Sequence, residues 1–101
     1  MMRKITFANA INEALFQSME LSQDVIVLGQ SVDNKSGIFG TTTGLHDEFG
    51  SDRVQDFPNA ENIMTSTATG SALAGLRPVI IHQRLDFMIY SLDVIVNWMS
   101  L

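Results

Sequence analysis

Glu61 is the first candidate for a functional residue in this sequence, because it follows a proline at a predicted helix start. Pro58 disfavours helix at Phe57 and suits the beginning of one, which places Glu61 in the first turn of a helix that runs to about Ala74. A carboxylate in a first helical turn is held in a fixed position. Acidic residues are also favoured in first helical turns by the helix dipole alone, so ordinary capping stays open as the explanation.

The helix behind Glu61 carries little side-chain bulk. Its small residues, which allow a backbone or a flat ligand to approach closely, are Ala60, Ser66, Ala68, Gly70, Ser71, Ala72 and Ala74. Gly75 suits the left-handed position after a last helical turn, and Pro78 forbids continuation of the helix. The sequence therefore predicts both ends of this helix.

A second group of polar side chains follows the short apolar run 79–81, which is predicted to be a buried strand. His82, Arg84 and Asp86 come next, together with Phe87. Ligands usually bind at the carboxyl edge of a parallel sheet, so His82 is a candidate site residue. An edge histidine with a capping Asp86 explains the same pattern without a ligand.

The elements that must position these residues alternate between helix and strand. Thr6 can cap a first helix with an apolar face, and the run 25–28, which ends at Gly29, is predicted to be a central strand buried on both faces. The turn-rich loop 30–40 follows the carboxyl end of that strand and carries the apolar pair Ile38 and Phe39. A short helix that ends before Gly50, a strand at 53–55 and a last helix opening at residue 84 or 86 complete the pattern.

This alternation predicts an α/β fold, with a three-layer, doubly wound parallel sheet and helices on both faces. The apolar run Tyr90–Leu101 ends with no cap, polar tail or following strand, so the fold is expected to be incomplete at its carboxyl end. We expect residues 1–101 to form one partial domain, with no second domain.

Composition excludes several classes of function. The 101 residues carry a net charge of −5 without a basic cluster, which gives nucleic-acid binding little electrostatic support. The apolar run at residues 87–101 is too short and too interrupted to span a membrane. The absence of cysteine excludes disulfides and thiolate metal sites and fits a reducing, cytoplasmic compartment.

Common catalytic and nucleotide-binding patterns are missing. The sequence has neither a dinucleotide nor a phosphate-loop fingerprint, and no Gly-x-Ser-x-Gly elbow. His46 and His82 lie far apart without acidic residues at metal-ligand spacing, so no metal site is expected in this chain. His46 is predicted to be a solvated residue on the short helix.

Short pieces of the chain nevertheless occur together in an order and spacing that is specific, although each piece alone is weak. They are residues 5–15, Val27-Leu28-Gly29, Gly37-Ile38-Phe39, Gly44-Leu45, Phe49-Gly50, Arg53-Val54, Pro58-x-x-Glu61, residues 70–79, Asp86-Phe87 and Asp93-x-x-Val96-Asn97. Over nearly the whole chain this order resembles the amino-terminal, pyrimidine-binding domain of the β subunits of 2-oxo acid dehydrogenase first components. These are pyruvate dehydrogenase-like members of the transketolase superfamily.

The resemblance implies a thiamine diphosphate enzyme whose site is shared between two chains. Glu61 matches the family glutamate that hydrogen-bonds a ring nitrogen of the aminopyrimidine and favours its reactive tautomer, and Phe87 matches the aromatic that packs on that ring. Asn59 and Ile38 are the further expected cofactor contacts. The resemblance assigns the diphosphate and its magnesium to a partner α chain, in an α2β2 or homodimeric assembly that acts on a small 2-oxo acid.

Three positions depart from the family pattern. Gln30 stands in Gly-Gln-Ser-Val where the family usually has an acidic group near the cofactor, and Asn59 stands where an apolar contact is usual. Arg84 replaces a commonly aromatic position. We expect His82, Arg84 and Gln30 to lie near the substrate or behind the cofactor.

Two alternative functions stay open on the sequence. One is a truncated or diverged paralogue that keeps the fold and the subunit surface as a non-catalytic assembly module. The other is a transketolase-type transferase, which shares the domain and differs in acceptor chemistry.

Overall fold

The computed structural model describes residues 3–33 and 39–100, which form one parallel sheet with helices on both faces. The helices are α1 (Phe7–Leu21), α2 (Leu45–Phe49) and α3 (Glu61–Leu73), and the strands are β1 (Val25–Gly29), β2 (Val54–Asp56) and β3 (Arg77–Ile81). A terminal helical segment follows, with a 3-10 helix at Leu85–Ser91, an α-helical turn at Leu92–Val94 and a π-helical turn at Ile95–Met99.

Strand β1 is the centre of the sheet, as its continuously apolar sequence predicts. The strand order is β2-β1-β3, and both pairings are parallel, with Val27 opposite Val54 on one side and Val79 on the other. All five residues of β1 are buried. A strand with both edges paired and both faces covered is typical of a parallel sheet.

Alternate side chains of β1 serve the two faces of the sheet. Val25 and Val27 pack with Leu15 and Met19 of α1, whereas Ile26 and Leu28 pack with Met64 and Ala68 of α3, in two separate clusters. Each fully buried Val, Leu or Met side chain contributes about 1.5–3 kcal/mol to folding. The predicted α/β class, with helices on both faces of a parallel sheet, is confirmed.

Arg53 joins the carboxyl end of α1 to the sheet. Its Nη2 donates hydrogen bonds to the carbonyl oxygens of Met19, Ser22 and Val25, at 2.8, 2.7 and 3.1 Å, and its guanidinium lies 4.9 Å from the centre of the Phe49 ring. A cation is favoured at the end of a helix where the last carbonyl groups lack partners within the helix.

The predicted amino-terminal cap of α1 is confirmed, because Thr6 Oγ1 accepts a hydrogen bond from the amide of Asn9 at 3.1 Å.

Two predicted elements differ in the structure. Strand β3 begins at Arg77, so Pro78 lies within it. Proline is tolerated there because it lacks only the backbone N–H donor, and β3 is an edge strand of the described sheet. The last helix is not a regular α-helix but changes from 3-10 to α to π winding. Glu61 lies in the first turn of α3 as predicted, although the helix begins at Glu61 itself rather than near Pro58. Gly75 beyond its end has the expected positive φ, +106°.

We expect Arg53→Met to lower the free energy of unfolding by about 2–3 kcal/mol, because hydrogen bonds to a charged donor each contribute about 1.5–3 kcal/mol. Arg77→Met is the matched control, since that side chain is exposed, and should change the free energy by no more than about 0.5 kcal/mol. Chemical denaturation of the two variants measures the difference. Equal losses in both would contradict the role assigned to Arg53.

Candidate functional site

The three strands end at one edge of the sheet, where polar groups tie their carboxyl ends together. The amide of Ser31, just beyond β1, donates to a carboxylate oxygen of Asp56 at the end of β2. The side-chain amide of Gln83, beyond β3, donates to the hydroxyl of Ser31 at 3.1 Å. The polar edge predicted from the sequence therefore exists, and its parts are held together by hydrogen bonds.

The turn after β1 is tightly packed. A Cβ atom on Gly29 would lie 2.5 Å from the carbonyl oxygen of Ile81 and 2.8 Å from Val32, so only glycine fits between the strand ends. Ser31 follows with a φ of 60°, a left-handed conformation that costs a residue other than glycine about 1–3 kcal/mol. This turn buries Gln30, which is 4% exposed.

A cleft of about 430 Å³ opens at this edge. Its described lining consists of Gln30, Asn59, Glu61, Gln83, Phe87 and Tyr90. The structure thus brings together Glu61, Phe87, Asn59 and Gln30, four residues that the sequence singled out separately. Ile38 lies outside the described residues.

Glu61 is the first residue of α3 and is half-buried in the cleft. The N-cap residue, Ala60, has no side chain that could cap the helix. Within residues 3–33 and 39–100, the Glu61 carboxylate makes no hydrogen bond or ion pair. It therefore lies at the positive end of the helix dipole with its oxygens available to a ligand.

Phe87 and Tyr90 form the aromatic side of the cleft. They lie three residues apart in the 3-10 helix, where side chains at i and i+3 eclipse each other, so both rings reach the same opening. Phe87 is half-buried and Tyr90 is 67% exposed. Such a side suits contact with the face of a flat ring.

Arg84 lies at the rim of the cleft rather than in its lining. Its guanidinium is 5.5 Å from the centre of the Phe87 ring and forms an ion pair with Asp86 at 3.0 Å, with both side chains largely exposed. Exposed ion pairs contribute about 0–1 kcal/mol, so this one holds Arg84 weakly.

Two buried polar atoms lack a hydrogen-bond partner among the described residues: Gln30 Nε2 and His82 Nδ1. A buried polar group without a partner costs about 1–3 kcal/mol. Gln30 is also one of the described residues that line the cleft, so one lining residue carries a buried amide nitrogen without a partner among the described residues.

His82 follows β3 at the polar edge, as predicted, but it does not contribute to the described lining of the cleft. Burial lowers the pKa of His82, and the negative charge of Glu61 partly opposes that shift. The imidazole is therefore favoured in its neutral form and lies within the electrostatic reach of Glu61.

Other sequence-based expectations have mixed outcomes. Asn59 is exposed and belongs to the described lining of the cleft. His46 lies on α2 as predicted, but it is half-buried rather than solvated. Sequence reasoning did not assign Gln83 or Tyr90 to the site; the spacing of Tyr90 from Phe87 was the available signal.

The described residues contain no group of three or more histidine, cysteine, aspartate or glutamate side chains that could hold a metal ion. No helix in the described part of the chain combines the length and apolar character needed to cross a bilayer.

The lowered pKa of His82 predicts a pH-dependent free energy of unfolding. Between the folded pKa and 6.5, the ordinary value, the unfolded chain binds more protons than the folded one. The contribution of His82 to the free energy of unfolding is therefore fully present above pH 6.5, and it is lost as the pH falls through the folded pKa of His82. We expect His82→Gln to reduce this slope in denaturation curves measured between about pH 8 and pH 5. Parallel pH profiles for the two proteins would contradict the assignment.

Comparisons with known proteins agree with this geometry. Residues 3–101 match the family described as "Transketolase, pyrimidine binding domain". The chain is 36% identical over 96 residues to the 2-oxoisovalerate dehydrogenase subunit beta of Bacillus subtilis. This match covers 95% of this chain and 29% of that protein. The chain is 42% identical over 94 residues to the pyruvate dehydrogenase E1 component subunit beta of Staphylococcus aureus, and this match covers 93% of this chain and 29% of that protein.

These relatives are much longer than the sequence described here, which spans less than a third of their length. The family match, in contrast, extends over almost every residue of the chain and includes the cleft with Glu61 and Phe87. The chain belongs to the transketolase pyrimidine-binding domain family.

Proposed function

We propose that this chain is the pyrimidine-binding half of a thiamine diphosphate-dependent 2-oxo acid dehydrogenase or decarboxylase, as part of a β subunit. One observation carries the proposal: the Glu61 carboxylate and the Phe87 ring share a single cleft at the carboxyl edge of the sheet. The family match and the names of the β-subunit relatives support it.

The cleft residues fit an aminopyrimidine ring. Phe87 and Tyr90 offer aromatic contact, Glu61 offers a carboxyl group for a ring nitrogen, and Gln30 offers a buried donor that has no partner among the described residues. A flat heterocycle with donors and acceptors on its edges is the type of ligand that satisfies all three.

The bound cofactor would supply the electron sink for decarboxylation of a 2-oxo acid. The role of Glu61 is to share a proton with a ring nitrogen of the aminopyrimidine. Because Glu61 begins α3, its position is fixed by the helix, which favours a defined hydrogen bond. Phe87 would pack against the face of the ring, and the partial burial of Glu61 limits access of water to its carboxyl group.

The described lining of the cleft contains no lysine or arginine, so it offers no cation for a diphosphate. We therefore propose that a partner α chain binds the diphosphate and its magnesium ion, and that the enzyme is active only with that chain. The same proposal includes an α2β2 or homodimeric assembly, a cytoplasmic location, and the assignment of residues 1–101 to part of one domain.

Arg84 and His82 are the groups proposed to act near the substrate. The Arg84 guanidinium lies above Phe87 at the rim, where it can attract the carboxylate of a 2-oxo acid. Neutral His82, within the electrostatic reach of Glu61, can exchange a proton without adding a second charge to the site.

The Glu61→Gln variant tests the proposal most simply. With the α partner present, we expect a loss of turnover of about 100-fold or more, the usual contribution of a general acid–base group, with little change in thermal stability. Glu48→Gln, on the exposed side of α2, is the matched control and should keep full turnover. Unchanged turnover in Glu61→Gln would exclude Glu61 from catalysis. A wild-type protein that binds no thiamine diphosphate in calorimetry would favour an assembly module.

Gln30→Met separates ligand binding from folding. It removes a buried amide nitrogen that has no partner among the described residues and keeps the side-chain length, so we expect the cofactor-free protein to become more stable by about 1 kcal/mol. The affinity for thiamine diphosphate should fall by about tenfold, because the ligand loses a donor. Gln55→Met, at an exposed position of β2, should change neither quantity. Lower stability together with unchanged affinity would contradict the role of Gln30.

A further inference from the structure

Two buried hydroxyl groups connect the two sides of the cleft. Thr65 Oγ1 donates to Ser91 Oγ at 2.7 Å, and Ser91 Oγ donates to the carbonyl oxygen of Glu61 at 2.9 Å. Thr65 is 1% exposed and Ser91 is fully buried. Water therefore cannot replace either hydrogen bond easily.

The pair differs from the other hydroxyl groups of α3. Four neighbouring serine and threonine side chains each donate to the carbonyl oxygen four residues back in the helix: Ser66, Thr67, Thr69 and Ser71. The same pattern would direct the Thr65 hydroxyl to the Glu61 carbonyl. Instead the Ser91 hydroxyl lies between the two groups and donates to that carbonyl itself.

Ser91 is the last residue of the 3-10 helix that carries Phe87 and Tyr90, whereas Glu61 is the first residue of α3. The hydrogen bonds therefore join the segment with the aromatic side chains to the first turn of the helix with the carboxylate. Ser91 Oγ accepts one of these hydrogen bonds and donates the other, so the two hydrogen bonds polarise and strengthen each other.

We propose that Thr65 and Ser91 are positioning residues, which set the distance between the Glu61 carboxylate and the Phe87 ring; this rests on the proposed function. Neither hydroxyl touches the ligand in this account. When Ser91 lacks its hydroxyl, Thr65 can donate to the Glu61 carbonyl, as its neighbours do. Helix α3 then persists while its connection to the aromatic segment is lost.

The test uses the protein assembled with its α partner and measures the affinity for thiamine diphosphate and the turnover. We expect Ser91→Ala and Thr65→Val to lower both by about 3–10-fold, the effect of one buried hydrogen bond. Thr65→Ser keeps the hydroxyl and should restore most of the loss. Thr67→Val removes an exposed hydroxyl from the same helix and should have no effect. Equal effects of the Thr65→Val and Thr67→Val substitutions would overturn the proposal.

A double-mutant cycle shows whether Ser91 acts through Glu61. If it does, Ser91→Ala should cause no further loss of turnover in a Glu61→Gln background. A multiplicative loss in the double variant would assign Ser91 a structural role only. Full turnover in Glu61→Gln alone would instead refute the proposed function, so the two failures are distinguishable.

Amide hydrogen exchange in the cofactor-free protein gives a measurement independent of activity. Ser91→Ala should raise exchange about 3–10-fold in the 3-10 helix, residues 85–91, and leave the middle of α3 unchanged. The Thr67→Val variant should exchange like the wild type. Unchanged exchange in residues 85–91 of the Ser91→Ala variant would overturn the proposal.

Discussion

The burial of β1 on both faces and along both edges is the constraint on which the rest of the structure depends. Its side chains alternate between the cluster under α1 and the cluster under α3, so the interior of the sheet has no room for polar groups. The polar cleft lies instead where the parallel strands end. Gln30 and Gln83 follow two of those ends, and Glu61 reaches the same edge because β2 leads through Pro58 into α3.

The cleft at this edge combines a carboxylate, amide groups and aromatic rings, and its described lining has no cationic side chain. This composition suits the uncharged, flat end of a cofactor better than its phosphates. A side chain of α3 also connects the two sides of the cleft. Thr65 is short enough to share a hydroxyl contact with Ser91, which brings the helix and the aromatic segment together. Glu61, which is proposed to bind the ligand, and Thr65, which is proposed to position Glu61, thus lie on neighbouring turns of α3.

Much of this arrangement could be predicted from the sequence, because it depends on local signals. The apolar run of β1 indicates a central strand, and Pro58 indicates a helix start that includes Glu61. The burial of Gln30 could not be predicted, since it follows from the left-handed turn at Ser31 and the close approach at Gly29. Tyr90 and Ser91 were missed because the apolar pattern favoured a regular helix, whereas 3-10 winding aligns Tyr90 with Phe87 and brings Ser91 against α3.

The central claim is that the Glu61 carboxyl group binds a ring nitrogen of the aminopyrimidine. The most direct test is calorimetry with thiamine diphosphate and with an analogue whose corresponding ring nitrogen is replaced by CH, in wild type and in Glu61→Ala. The nitrogen should contribute about 10-fold or more to the affinity in wild type, and almost nothing in the variant. An equal contribution of the nitrogen in both proteins would contradict the claim.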